Sequence, residues 1–181
     1  MSERKGDWMT TFTGRQFWPL DPRPEEVCIE DIAHALANIC RFGGHCKRFY
    51  SVAQHSILVA DLVAQVEPQF RLAALLHDAP EAYIGDMVRP LKRFSDMGEL
   101  FTKIEHVVAL AIWLRYNLPV IPAKVLQWAD DLVLKYEHAQ LINDGRMWAV
   151  DTVEGPAVEV CPWSPSYAEV AFLGRFKAWG A

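Results

Sequence analysis

The segment PQFRLAALLHDAPEAYIGD (68–86) decides how this chain is read. Pro68 suits the first turn of a helix, Leu72, Ala73, Leu75 and Leu76 are apolar, and Pro80 cannot continue the hydrogen-bond ladder. His77 and Asp78 therefore fall at a helix C-terminal end, and Glu81 follows one helical turn beyond Asp78. A His-Asp pair alone is a weak signal. Its meaning depends on what the neighbouring segments bring to it.

Those segments read as helices in both directions. Upstream, Ser51 opens a capping box with Gln54 and leads into apolar Val52, Val59 and Val63, so His55 rides on this helix. Before it, Ile29, Ile32, Ala33, Leu36 and Ile39 recur at helical spacing, Glu30 and Asp31 occupy the first turn, and Gly43 and Gly44 close the element. Downstream, a loop through Gly85 and Pro90 precedes an amphipathic helix marked by Leu100, Ile104, Val107, Val108, Ala111 and Leu114. Pro122 starts a long helix reaching about Asn143, with Asp130 in its middle. Residues 146–165 read as irregular, and Ser166 with Glu169 forms a second capping box before a terminal helix. Pro19, Pro22 and Pro24 make residues 1–24 an extended arm over the surface. The pattern predicts one compact all-α domain over residues 1–181, with the arm at 1–24, a helical core at 25–145, and the irregular segment and C-terminal helix at 146–181.

Composition narrows the function. With 181 residues and 51% hydrophobic content the chain can bury a sizeable core, which excludes global disorder. No apolar run approaches the roughly 20 residues of a membrane span, and no apolar stretch follows the N-terminal Lys and Arg as in a secretory signal. A cytoplasmic protein without a membrane partner is expected. Eighteen basic against 23 acidic residues give a net charge of -5, which weighs against a nucleic-acid polymer as partner but not against a small anion. Cys28, Cys40, Cys46 and Cys161 form no C-x-x-C pair and read as reduced thiols. Cys40, His45 and Cys46 lack the second ligand pair of a structural zinc site.

His55, His77, Asp78 and Asp130 supply two imidazoles and two carboxylates from three helices, a mixed set suited to a borderline divalent metal. Burying two unpaired carboxylates is costly, which favours a bound cation over a polar cluster without one. Asp131 is the alternative fourth ligand. Asp130 shares a helix face with Glu137, whereas Asp131 points about 100° away, toward solvent.

The segments YSVAQHS, ALLHDAPEAYIGD and WADDLVLKYE resemble the three ligand-bearing motifs of the HD-domain phosphohydrolases, and most closely the small bacterial 5′-deoxynucleotidases and phage deoxyadenosine triphosphate triphosphohydrolases. The resemblance runs from about Ile29 to Glu137 and implies a helical HD-domain fold. It implies that His55, His77, Asp78 and Asp130 hold one divalent ion, with Mn, Co, Zn, Ni and Fe all compatible. Only His106 lies between the His-Asp pair and Asp130, which argues against a second metal. Glu81 would orient or deprotonate the attacking water, and Asp86 would accept the deoxyribose 3′-hydroxyl. Arg41 and Phe42 resemble an Arg-Trp pair that gives a cation to phosphate and an aromatic face to sugar or base. His45, Lys47, Arg48 and Glu137 are expected as further substrate contacts. Convergence of His45, Lys47 and Arg48 on the metal would favour a triphosphate.

The implied activity is metal-dependent hydrolysis of a small-molecule nucleotide: a 5′-nucleotidase of 2′-deoxynucleotides, with a dNTP (dATP) triphosphohydrolase as the alternative and a non-catalytic nucleotide sensor as a third reading. Relatives of this kind assemble as homo-oligomers. His34, His106 and His138 read as structural or solvated, Arg89, Lys92 and Arg93 as a solvated face or, as the alternative, a cluster that steers an anionic substrate or meets a neighbouring subunit, and Trp113, Trp128 and Trp148 as core or interface anchors without chemistry.

Overall fold

The N-terminal arm is anchored in the core and does not simply cross the surface as its prolines suggest. In the computed structural model, which describes residues 4–180, strand β1 (Met9–Thr10) pairs antiparallel with β2 (Gln16–Phe17). Residues 1–3 of the arm and Ala181 lie outside the described residues. Phe17 is fully buried and stacks on Tyr83, ring centroids 3.8 Å apart. Burying a phenylalanine stabilises by about 1.5–3 kcal/mol, which helps hold the arm in place.

The rest of the described chain is all-α. Helix α1 (Ile29–Asn38) stops before Gly43 because Ile39 turns extended and Cys40 forms a bridge with Ser51. In α2 (Val52–Val66) the Ser51 hydroxyl accepts the Gln54 amide at 3.1 Å, as the capping signature predicts. The Gln54 side chain does not return to Ser51. It donates to the Cys161 carbonyl (2.7 Å) and accepts from the Trp163 amide (2.9 Å), which ties the C-terminal segment to the core. Val52, Ile57, Val59 and Val63 of α2 are fully buried, so this helix is covered on nearly every side. Its neighbours are α1, α3 (Arg71–Leu75), α7 (Ala123–Glu137) and α8 (Pro165–Trp179).

Helix α3 ends at Leu75, and Pro80 heads α4 (Glu81–Ile84) instead of closing one continuous helix. The turn between them displays His77 and Asp78. Where a loop to Pro90 was expected, α5 (Arg89–Phe94) forms with Pro90 in its first turn. It meets the start of α6 (Asp96–Tyr116) closely at Gly98, where an added Cβ would overlap the Lys92 carbonyl. Beyond α7 the chain makes a π-helical turn (His138–Ile142) that ends on left-handed Asn143, so the α-helix does not reach Asn143. Ser164, not Ser166, caps α8, with Pro165 in the first position. Among the described residues no helix is long and apolar enough to cross a membrane.

Candidate metal centre and its cavity

His55, fully buried on α2, and the His77-Asp78 turn meet Asp130 of α7. One ligand atom each from His55, His77 and Asp78 lies within 4.8 Å of the others, and this group can hold a metal ion. His55 Nε2 is 3.1 Å from Asp130 Oδ1 and 3.7 Å from Asp78 Oδ2, and His77 Nε2 is 3.2 Å from Asp78 Oδ2. Neither Nε2 atom has a hydrogen bond of acceptable geometry, although both are buried. Buried ring nitrogens without such a partner, beside carboxylates, fit a cation as the missing partner.

The far side of each ring sets its orientation. His55 Nδ1–H donates to Glu137 Oε1 at 2.7 Å, and His77 Nδ1–H donates to the Ala74 carbonyl at 2.7 Å. Both acceptors require the proton on Nδ1, which leaves Nε2 as the ligand atom. With no cation bound, burial and Arg41 push the His55 imidazolium down, but Glu137 and Asp130 outweigh them and bring it up to about 9, so a metal ion would bind Nε2 by displacing its proton. Asp78 moves the other way. Burial raises its carboxyl, and the larger summed effect of His77, His55 and Arg41 holds it well below the usual range, as an anion.

Glu137 does not take the substrate-side place expected of it. It is fully buried, with one oxygen on His55 and the other on Arg41 Nε (3.2 Å) and Nη2 (3.0 Å). Arg41 in turn brings Nη1 to 4.0 Å from Asp78 Oδ2. Asp131 lies off the centre, 3.7 Å from Arg89, and is not turned wholly to solvent.

A cavity of about 610 Å³ opens over Asp78 and Asp130, with Arg41, Phe42, Glu81 and Asp86 in its wall. Glu81 is 7% exposed and its Oε2 has no partner. Burial, reinforced by Asp78 and Asp86, holds its proton well above the ordinary carboxyl range. Asp86, at the solvent-facing lip, is raised by partial loss of water, with Arg41 opposing and Asp78 reinforcing.

His45, Lys47 and Arg48 are not brought to this cavity; all three are exposed elsewhere. Left-handed backbone at Phe42, Gly43 and Gly44 (φ 58°, 59° and 83°) turns the chain away after Phe42. The positive wall comes from Arg89, Lys92 and Arg93 of α5, for which the sequence favours a solvated face and leaves anion steering as the alternative. Pro90 at a helix start was the signal that these three share one short helix. Trp148, expected only as a core or interface anchor, belongs to the same cavity. It lines the cavity, stacks on His138 at 4.0 Å, and meets Phe42 edge-on at 6.2 Å. His34 is structural, paired with Glu169 at 3.1 Å. Cys40 and Cys46 are free thiols with sulfurs 3.5 Å apart.

No protein-family model matches the chain. It is 39% identical over 176 residues to the uncharacterized protein YfdR of Escherichia coli strain K12, a match covering 94% of each chain. It is also 40% identical over 147 residues to the uncharacterized protein RCAP_rcc00048 of Rhodobacter capsulatus, covering 76% of this chain and 74% of that relative. The chain belongs to the family of YfdR.

Proposed function

We propose that this chain is a metal-dependent HD-domain phosphohydrolase of nucleotides, in the first place a 5′-nucleotidase of 2′-deoxynucleoside monophosphates. The observation that carries the reading is the pair of buried Nε2 atoms of His55 and His77, unpartnered beside Asp78 and Asp130. His55, His77, Asp78 and Asp130 would hold the ion, and Mn, Co, Zn, Ni or Fe suits such a set. When bound, a divalent cation lowers the pKa of a coordinated water and screens charge on the phosphoryl group.

The chain's own groups do the rest. Arg41, held by Glu137, presents its remaining guanidinium edge toward Asp78 and the cavity, where it meets a phosphate oxygen. Glu81 projects an unpartnered oxygen near Asp78, and once a bound cation favours its ionised form it would accept the proton of the attacking water. Asp86 accepts the sugar 3′-hydroxyl, and Phe42 with Trp148 offers aromatic faces to the base.

A dNTP triphosphohydrolase is the second reading, favoured by Arg89, Lys92 and Arg93 along one wall of a cavity this large. Product chromatography separates the two. Chelator-stripped protein is incubated with each deoxynucleoside mono- and triphosphate, with and without Mn or Co. Nucleoside plus orthophosphate supports the nucleotidase, and nucleoside plus tripolyphosphate supports the triphosphohydrolase. No metal-dependent product from any substrate would overturn the enzyme reading in favour of a nucleotide sensor.

A further inference from the structure

His138 and Trp148 stand between two cavities. Trp148 lines the cavity over Asp78 and Asp130, and His138 lines a second one of about 320 Å³, with Tyr136, Arg146 and Asp151 also in its wall. The two rings are stacked, with centroids 4.0 Å apart and planes 15° from parallel. His138 therefore backs one face of the indole, while open space and not packed core lies beside the imidazole. Close packing does not fix a pair placed in this way, so other contacts must.

The chain supplies them through a local reversal. The π-helical turn over His138–Ile142 ends on left-handed Asn143 (φ 45°), which turns the chain back and brings Asp144 to His138. His138 Nε2–H donates to Asp144 Oδ1 at 3.2 Å, and Nδ1 lies 3.5 Å from Asp151 Oδ1. Through Oδ2, Asp151 accepts the Trp148 backbone N–H at 2.7 Å, and its own N–H donates to the Trp148 carbonyl at 3.0 Å. One carboxylate thus reaches both the backbone of Trp148 and the imidazole behind its ring. The His138 ring is buried, and with a carboxylate at each nitrogen it cannot turn without losing both contacts.

We propose that His138 is a positioning residue that holds Trp148 as the stacking platform for the nucleobase, which rests on reading the cavity as a nucleotide site. Stacking on an indole suits any base, because every base presents a π-face. An indole free to swing must be ordered each time a base binds, at a cost of about threefold to tenfold in affinity. The His138 stack and the two aspartates remove that cost by ordering the ring beforehand. Phe42, which meets Trp148 edge-on at 6.2 Å, bounds the platform beside Arg41.

The test is calorimetric titration of the chelator-stripped full chain with each of the four 2′-deoxynucleosides, with far-UV circular dichroism on every variant. The parent should bind them, and Trp148→Ala should weaken binding about tenfold. His138→Ala should weaken it about threefold to tenfold. In the Trp148→Ala background, His138→Ala should add nothing further, because it acts through the indole alone. A parent that binds no deoxynucleoside overturns the proposal. So does a His138→Ala variant with the parent's affinity, or a double variant H138A/W148A whose losses add. If His138→Ala fails to fold, Asp144→Ala, which alters an exposed side chain, should weaken binding about twofold or more, and an unchanged affinity there overturns the proposal. Neither metal nor turnover enters this measurement. Deoxynucleoside binding with this pattern, in a chain that hydrolyses no nucleotide, would sink the phosphohydrolase reading and leave the platform standing.

Discussion

Glu137 holds His55 from behind: its Oε1 accepts the His55 Nδ1–H at 2.7 Å while its Oε2 receives Arg41. One buried carboxylate thus fixes both the tautomer of a candidate ligand and the direction of the cation nearest the centre. Replacing Glu137 by Gln should weaken metal binding by about 10–100-fold, the usual effect of losing such a partner. Titration calorimetry with Mn on stripped protein reads this. An unchanged affinity would reduce Glu137 to a structural role.

Glu81 should make stability depend on pH. Its raised folded value means that the stabilisation from its proton is complete at acid pH and is lost as pH rises through that value. In chelator, Glu81→Gln should therefore unfold like the parent near pH 4 and gain on it toward about pH 8. The expected gain is about 1–3 kcal/mol, the range for relieving a poorly satisfied buried group. Urea denaturation across that range would show the divergence, and parallel curves would contradict it.

The close crossing of α5 and α6 makes Gly98 irreplaceable by a larger residue without moving α5. Gly98→Ala should cost about 1–3 kcal/mol, as overpacking does. It should also displace Lys92 and Arg93 from the cavity wall. Thermal unfolding within error of the parent would mean that the crossing relaxes freely.

The α5 cations should matter more as the substrate carries more phosphate. Arg93→Ala is expected to raise KM for a deoxynucleoside triphosphate by about tenfold while changing that for the monophosphate much less. Equal effects on both would place Arg93 outside the phosphate path.

The sequence carried the helical architecture because apolar spacing and caps are local signals, whereas the meeting of His55 with His77-Asp78 was implied by the mixed donor set and by the resemblance of the three motifs. What it concealed depends on backbone reversals and distant partners. Phe42 adopts a left-handed conformation that no composition rule assigns to phenylalanine, and this carries His45, Lys47 and Arg48 away from the centre. Arg41 and Glu137 are far apart in the chain, so their pairing, and with it the role of Glu137 behind His55, follows only from the packing of α2 against α7. Phe17 belongs to the proline-rich arm expected to run over the surface, and only the folded chain presents it to Tyr83.

In the proposed function, His55, His77, Asp78 and Asp130 together hold a divalent ion on which hydrolysis depends. The most direct test measures metal content and deoxynucleotide hydrolysis on the same preparations of the parent, His77→Ala and Asp78→Ala. The parent should carry one ion per chain and turn over, and both variants should lose ion and turnover together. Hydrolysis that persists in either variant without bound metal would contradict the account.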